Sequence, residues 1–240
     1  MLPQQTFIYS QNNIFSIINY DIHSLMNYEN KPVGYYKAYR KEMLNFLPAN
    51  SKTVLDIGCG NGALSAVLKE KYGLETWGIE LMESEAAKAK DIMHKVFVGP
   101  CENLINQLPD GYFDAVYLND VLEHLSNPNE VLKMLKPKLS KKGVIISSIP
   151  NIRYHKALIE IVFKRDFKYT ESGILDFTHL RFFTSKSIQR MYTELGFEII
   201  NHQGINKSKS IKPYLYNIPV LFTAMDIFYP QFATVSKPKN

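Results

Sequence analysis

Cysteine is scarce. The 240 residues hold two, Cys59 and Cys101, and neither belongs to a Cys-x-x-Cys pair. A disulfide framework and a cysteine zinc site are therefore not expected, and a reducing compartment, the cytoplasm, suits the chain. The amino end lacks a basic stretch followed by an apolar core, so no secretory leader is expected. Long hydrophobic runs are missing as well: the most apolar late stretch, 218–235, is broken by Pro219, Asp226 and Pro230. A membrane span is not expected there, while peripheral contact with a membrane surface stays open. Charge is only mildly one-sided, with 28 Lys and Arg against 23 Asp and Glu. The densest basic groups, Lys136, Lys138, Lys141 and Lys142, then Lys207, Lys209 and Lys212, read as solvated loops. No aromatic-interleaved basic stripe marks a nucleic-acid groove, so no nucleic-acid partner is expected.

What is present is a hydrophobic share of 45% and a charged share of 21%, enough to bury one sizeable core. Residues 1–34, rich in Asn and Tyr, read as an arm or lid, and 35–240 as the main domain. Within it, 151–184 and 206–230 read as lid or acceptor segments. A helix is expected over 35–47. Strands are then expected at 53–57, 75–79, 95–98, 113–118 and 144–149, with helices after the first (to 72), over 83–93 and over 120–135. A helix at 185–195, a strand at 197–200 and a last strand at 231–236 complete the chain. Strands that are almost wholly apolar imply burial on both faces, hence a parallel sheet covered by helices. Right-handed crossovers make this a doubly wound α/β fold, with ligands at the carboxyl ends of the strands.

The loop after the first expected strand reads Asp56-Ile57-Gly58-Cys59-Gly60-Asn61-Gly62-Ala63. Its glycines allow close backbone approach to a ligand. Gly58-x-Gly60-x-x-Ala63 also fits the dinucleotide pattern, and Glu80, some 20 residues on, would hold a ribose in either case. Asp56 separates the two. A carboxylate at the lip of the loop, with no Lys or Arg before Ala63, repels a pyrophosphate by several kcal/mol at an effective dielectric of about 20. The same carboxylate favours a cationic ligand such as S-adenosylmethionine, which carries an ammonium and a sulfonium. An NAD-dependent oxidoreductase is disfavoured on that ground.

These residues, followed by Phe113-Asp114-Ala115-Val116 and Asn119-Asp120-Val121-Leu122-Glu123-His124-Leu125, resemble the class I S-adenosylmethionine-dependent methyltransferases over about 35–200. Segments 148–153 and 173–184 are similar to those of bacterial members associated with polysaccharide and glycan biosynthesis. The resemblance implies a seven-stranded, mostly parallel sheet with its last strand antiparallel. It implies that Asp56, Gly58, Cys59, Gly60, Asn61 and Gly62 surround the methionine part of the cofactor, that Glu80 binds its ribose and that Leu81 packs on adenine. After the third strand the family's usual Asp is Pro100 here, which shifts adenine recognition to Cys101 and Glu102. Asn119 and Asp120 would line the mouth near the sulfonium. Upstream, Tyr36 and Arg40 belong to the same set, Arg40 as a partner for the cofactor's carboxylate. The product would be S-adenosylhomocysteine.

Methyl transfer from a sulfonium is an in-line displacement, and positioning supplies about 7–11 kcal/mol of it. A hydroxyl acceptor gains a further factor of about 10²–10⁴ from a general base. The candidates are His124, one turn after Asp120 on the expected helix, and His179 in Asp176-x-Thr178-His179. No metal is expected, because neighbours on a helix diverge by about 100° and Glu123 and His124 would not share an ion. The expected acceptor is a hydroxyl of a sugar, nucleotide-sugar or glycan. The alternatives are O- or N-methylation of a lipophilic small metabolite, or a non-catalytic accessory subunit.

Overall fold

The computed structural model describes residues 40–239. Tyr36 and the expected arm 1–34 lie outside them. Seven strands form one sheet: β1 Thr53–Ile57, β2 Glu75–Glu80, β3 Lys95–Val98, β4 Phe113–Asn119, β5 Leu139–Pro150, β6 Phe197–Ile205 and β7 Gln231–Pro238. Their order is β3-β2-β1-β4-β5-β7-β6. The first five pair in parallel, and β7 runs antiparallel to both β5 and β6. This is the doubly wound sheet with a reversed last strand that the sequence leads one to expect.

The alternation of side chains explains why the central strands are apolar throughout. On β4, Val116 and Leu118 enter one core with Leu55 and Ile57 of β1. Ala115 and Tyr117 point the other way, into a second core with Val54. Both cores gather many buried apolar side chains, each worth about 1.5–3 kcal/mol. Apart from Asp56 and Glu80, the polar side chains buried within the strands are small hydroxyls, Thr76, Ser147, Ser148, Thr234 and Ser236. Helices α1 Ala63–Tyr72 and α2 Glu83–Lys90 follow β1 and β2, as expected.

Three local expectations change. Residues 41–46 form a 3-10 helix rather than an α-helix. Residues 120–135 are not one helix. Asp120 takes a left-handed conformation at φ 54°, Leu122–His124 is a single 3-10 turn, and the α-helix starts only at Pro128–Leu135. Asn127 caps that helix by accepting from the Glu130 N–H, with Pro128 in the first turn. Lys138 is buried rather than solvated, its ammonium donating to the Leu108 carbonyl at 2.8 Å and to Asp110 at 2.7 Å. Among the described residues, no helix is long and apolar enough to cross a membrane.

Candidate active site

The carboxyl ends of β1, β2, β4 and β5 open on one cavity of about 570 Å³. Of the cofactor residues expected from the sequence that are described, all but Asn61 and Gly62 line it, and so do His124 and His179. Asn61 and Gly62 shape the loop instead. The Asn61 side chain accepts from the Ala63 N–H at 3.2 Å, and Gly62 turns the chain into α1 at φ 80°.

One half of the cavity is built on the glycine loop. Gly58 has φ 71°, and a Cβ there would lie 2.8 Å from Val121 Cγ2. The loop and the turn after β4 are therefore in direct contact, and only glycine fits between them. Glu80 at the end of β2 is 5% exposed. Its two oxygens accept from the N–H groups of Gly60 at 2.7 Å and Met82 at 2.8 Å. Burial raises its proton affinity, against those backbone bonds. Each oxygen retains lone-pair capacity toward the cavity, as a ribose partner requires.

Asp56 is not on the lip of the loop. It lies within β1, 3% exposed, and its carboxyl is pushed up to about 8 by burial and then by Glu80. Without a counter-cation it is mostly protonated at neutral pH. An ammonium placed beside it restores the ionised form. Beyond β3, Cys101 is buried and its thiol donates to Glu102 Oε2 at 3.4 Å, and both line this end of the cavity with Pro100.

The other half is built after β4. Asn119 Oδ1 is buried without a hydrogen bond among the described residues. Asp120 accepts from Arg40, from Gln231 Nε2 at 2.7 Å and from Ser148 Oγ at 3.3 Å. Arg40 also donates to Glu42 at 2.8 Å and to Gln231 Oε1 at 2.6 Å. It lines the cavity with its charge already engaged, which differs from the expected pairing with the cofactor's carboxylate. Gln231 and Ser148 were not expected in the site. They reach Asp120 from β7 and β5, and no local sequence pattern points either of them at Asp120.

His124 Nδ1 lies 3.1 Å from the Thr178 carbonyl, and His179 Nδ1 lies 3.0 Å from the Ile174 carbonyl. A carbonyl only accepts, so each Nδ1 carries a proton, and Nε2 is the ring atom left to act as base or ligand. The rings meet edge-on with centroids 4.7 Å apart. His124 is here not because of a helical turn after Asp120, since no helix runs between them. The Glu123 carbonyl accepts from the N–H groups of Leu180 and Arg181 at 2.9 and 3.0 Å, and this ties the 170s loop to the turn. The same turn removes the reason for expecting no shared ion. Glu123, His124 and His179 present ligand-type atoms within 4.8 Å of one another. His155 and His202 are structural, bonded to Ser208 and to Ser185 and Thr234 respectively.

Comparison with known proteins agrees with this arrangement. A family described as "Methyltransferase domain" matches residues 33–202. The chain is 27% identical to a ubiquinone biosynthesis O-methyltransferase of Pseudomonas paraeruginosa, over 68% of this chain and 72% of that protein. It is 33% identical to the chloroplastic tocopherol O-methyltransferase of Arabidopsis thaliana, over 40% of this chain and 29% of that protein. In fold it is similar to an S-adenosylmethionine-dependent methyltransferase of Archaeoglobus fulgidus, with a TM-score of 0.65 at 20% identity, covering 85% of this chain and 96% of the other. A cofactor cavity at the switch of the sheet and a family match over most of the chain lead to one assignment: the chain belongs to the methyltransferase-domain family and is an S-adenosylmethionine-dependent methyltransferase.

Proposed function

We propose that the chain methylates a hydroxyl on a small acceptor with an aromatic or otherwise apolar body. The observation that carries this reading is a file of rings leading out of the cavity. From His179 the centroids run to Phe182 at 6.3 Å, then to Phe167 at 5.3 Å, then to Tyr169 at 5.3 Å. Phe167 and Tyr169 are 41% and 52% exposed, and Phe163 nearby in sequence is 71% exposed. An apolar acceptor shields such rings, while solvent does not. The same surface suits contact with a membrane in which a lipophilic acceptor dissolves. The names of the relatives, acting in ubiquinone biosynthesis and on tocopherol, support the reading.

The residues present supply what hydroxyl methylation asks of a protein. The glycine loop and Glu80 fix one end of the cofactor. His124 and His179 line the same cavity, where imidazoles can act on an acceptor hydroxyl, as bases or through an ion that they hold. The 170s loop carries Gly173, Ile174, Asp176 and His179 into the lining, so its closure would exclude water and align the acceptor.

The sugar or glycan acceptor finds no support in the names of the relatives above, although aromatic rings also stack on sugar faces. The test is release of S-adenosylhomocysteine with alkylated phenols and catechols beside nucleotide sugars. Turnover of the phenols is expected. Turnover confined to nucleotide sugars would overturn the acceptor class. Cofactor binding with no turnover of either class would favour the accessory-subunit reading.

A further inference from the structure

Among the described residues, Glu123 is a buried ionisable side chain with no evident partner. It is 1% exposed, and neither carboxylate oxygen has a hydrogen-bond partner among the described residues. A buried carboxylate left in that state costs several kcal/mol. His179 Nε2 stands 4.0 Å from its Oε1, too far for a hydrogen bond. The guanidinium of Arg40 does not resolve the matter, because it is turned to Asp120, Glu42 and Gln231. Asp120 in turn has both oxygens engaged.

We propose that Glu123, His124 and His179 together hold one divalent transition-metal ion at the acceptor end of the cavity. Three independent features fit. Their ligand atoms lie within 4.8 Å of one another. Bonds of about 2.0–2.2 Å to one ion require separations of about 3–4 Å, so side-chain shifts of about an ångström close the site. Both histidines donate Nδ1–H to backbone carbonyls, of Thr178 and Ile174. That is how ligand imidazoles are oriented so that Nε2 binds the ion. Finally, the ligands come from two segments locked together by the Glu123 carbonyl and the Leu180 and Arg181 N–H groups, so the site is held before any ion arrives.

Two imidazoles and one carboxylate suit zinc, manganese, iron, cobalt or nickel rather than calcium, which takes oxygen alone. Three protein ligands leave coordination positions open toward the cavity. In the hydroxyl-methylating reading above, on which this role rests, the acceptor oxygen takes one of them and its pKa falls. The hydroxyl proton passes to solvent, and the oxygen attacks the methyl carbon. The carbon–sulfur bond breaks with its electron pair left on sulfur as S-adenosylhomocysteine. Both histidine Nε2 atoms are then ligands and not bases.

The test uses the untagged full chain, stripped with EDTA and titrated calorimetrically with zinc and, separately, manganese. Cofactor affinity is measured on the same samples as a check of folding. One ion per chain is expected, bound at least tenfold more weakly by Glu123→Gln and His179→Gln, with cofactor affinity within about twofold of wild type throughout. No saturable binding of either ion, or wild-type binding in both variants, overturns the site. Acceptor turnover that persists undiminished in EDTA overturns its catalytic role. Ion binding without turnover of any phenol leaves the site standing and removes the acceptor reading instead.

Discussion

The Gly60 N–H donates to Glu80 Oε2 at 2.7 Å, joining the glycine loop after β1 to the end of β2. The other oxygen of Glu80 accepts from Met82 at 2.8 Å. One buried carboxylate thus ties the loop expected at the methionine part of the cofactor to the segment expected at its adenosine.

Glu80→Gln tests that geometry. A glutamine side chain has one oxygen where two are used, and its NH₂ group would face a backbone N–H. One charge-assisted bond is lost, worth about 1.5–3 kcal/mol. Cofactor affinity should fall by about 10- to 100-fold by calorimetry. An affinity unchanged within threefold would mean that the loop holds its shape without Glu80.

Gly58→Ala should destabilise the protein by about 1–3 kcal/mol, since it combines a positive φ with a clash. The added Cβ would meet Val121 Cγ2 at 2.8 Å. In Gly58→Ala/Val121→Ala the clash disappears but the backbone strain stays, so the double variant should be more stable than additivity predicts. Thermal unfolding of the four proteins measures this. Strict additivity would show that the two residues are not in contact.

Much of this was legible in the sequence, and the exceptions have physical reasons. The central strands stood out because burial on both faces forces an unbroken apolar run. Asp56, the glycines and Glu80 stood out because backbone approach and charge demand those residue types. The segment 120–135 misled because Val121, Leu122 and Leu125 have helical spacing, yet a 3-10 turn and a loop bury Leu122 and Leu125 and half-bury Val121. The pair Asn127-Pro128 carried the correct signal, a capping side chain followed by proline in the first turn. The same expected helix set Glu123 and His124 about 100° apart and so argued against a shared ion. Gln231 had no local signal, and Ser148 stood out only as the start of a family-like segment, since only the sheet order β4-β5-β7 brings the two to Asp120.

Arg40→Met separates two roles for that residue. Its Nε, Nη1 and Nη2 are each bonded, to Glu42, Asp120 and Gln231. Its removal strands a partly buried Asp120 and should cost about 1–3 kcal/mol of stability. Cofactor affinity should change by less than about threefold, because the guanidinium is committed elsewhere. A tenfold loss of affinity without loss of stability would instead assign Arg40 to the cofactor's carboxylate.

Asp56 gives the pH-dependent prediction. Its carboxyl titrates at about 8 in the ligand-free fold and at about 3.9 when unfolded. Between those values the folded state keeps a proton that the unfolded state has lost, so the ligand-free fold loses stability as pH rises through this window. Asp56→Asn removes that loss and should raise the melting temperature at pH 8, by about 2–4 °C for each kcal/mol recovered. Cofactor binding moves the opposite way. An ammonium beside Asp56 favours the carboxylate, so binding at pH 7 should release close to one proton, read from the dependence of the calorimetric heat on buffer ionisation enthalpy. The variant should release none and bind about 10- to 100-fold more weakly. Stabilisation of the empty fold together with loss of binding is the pattern of a group kept for its ligand and not for the fold. If wild-type heats were independent of buffer, Asp56 would not change its ionisation on binding: either it is already ionised in the empty protein, or another group meets the cofactor's ammonium.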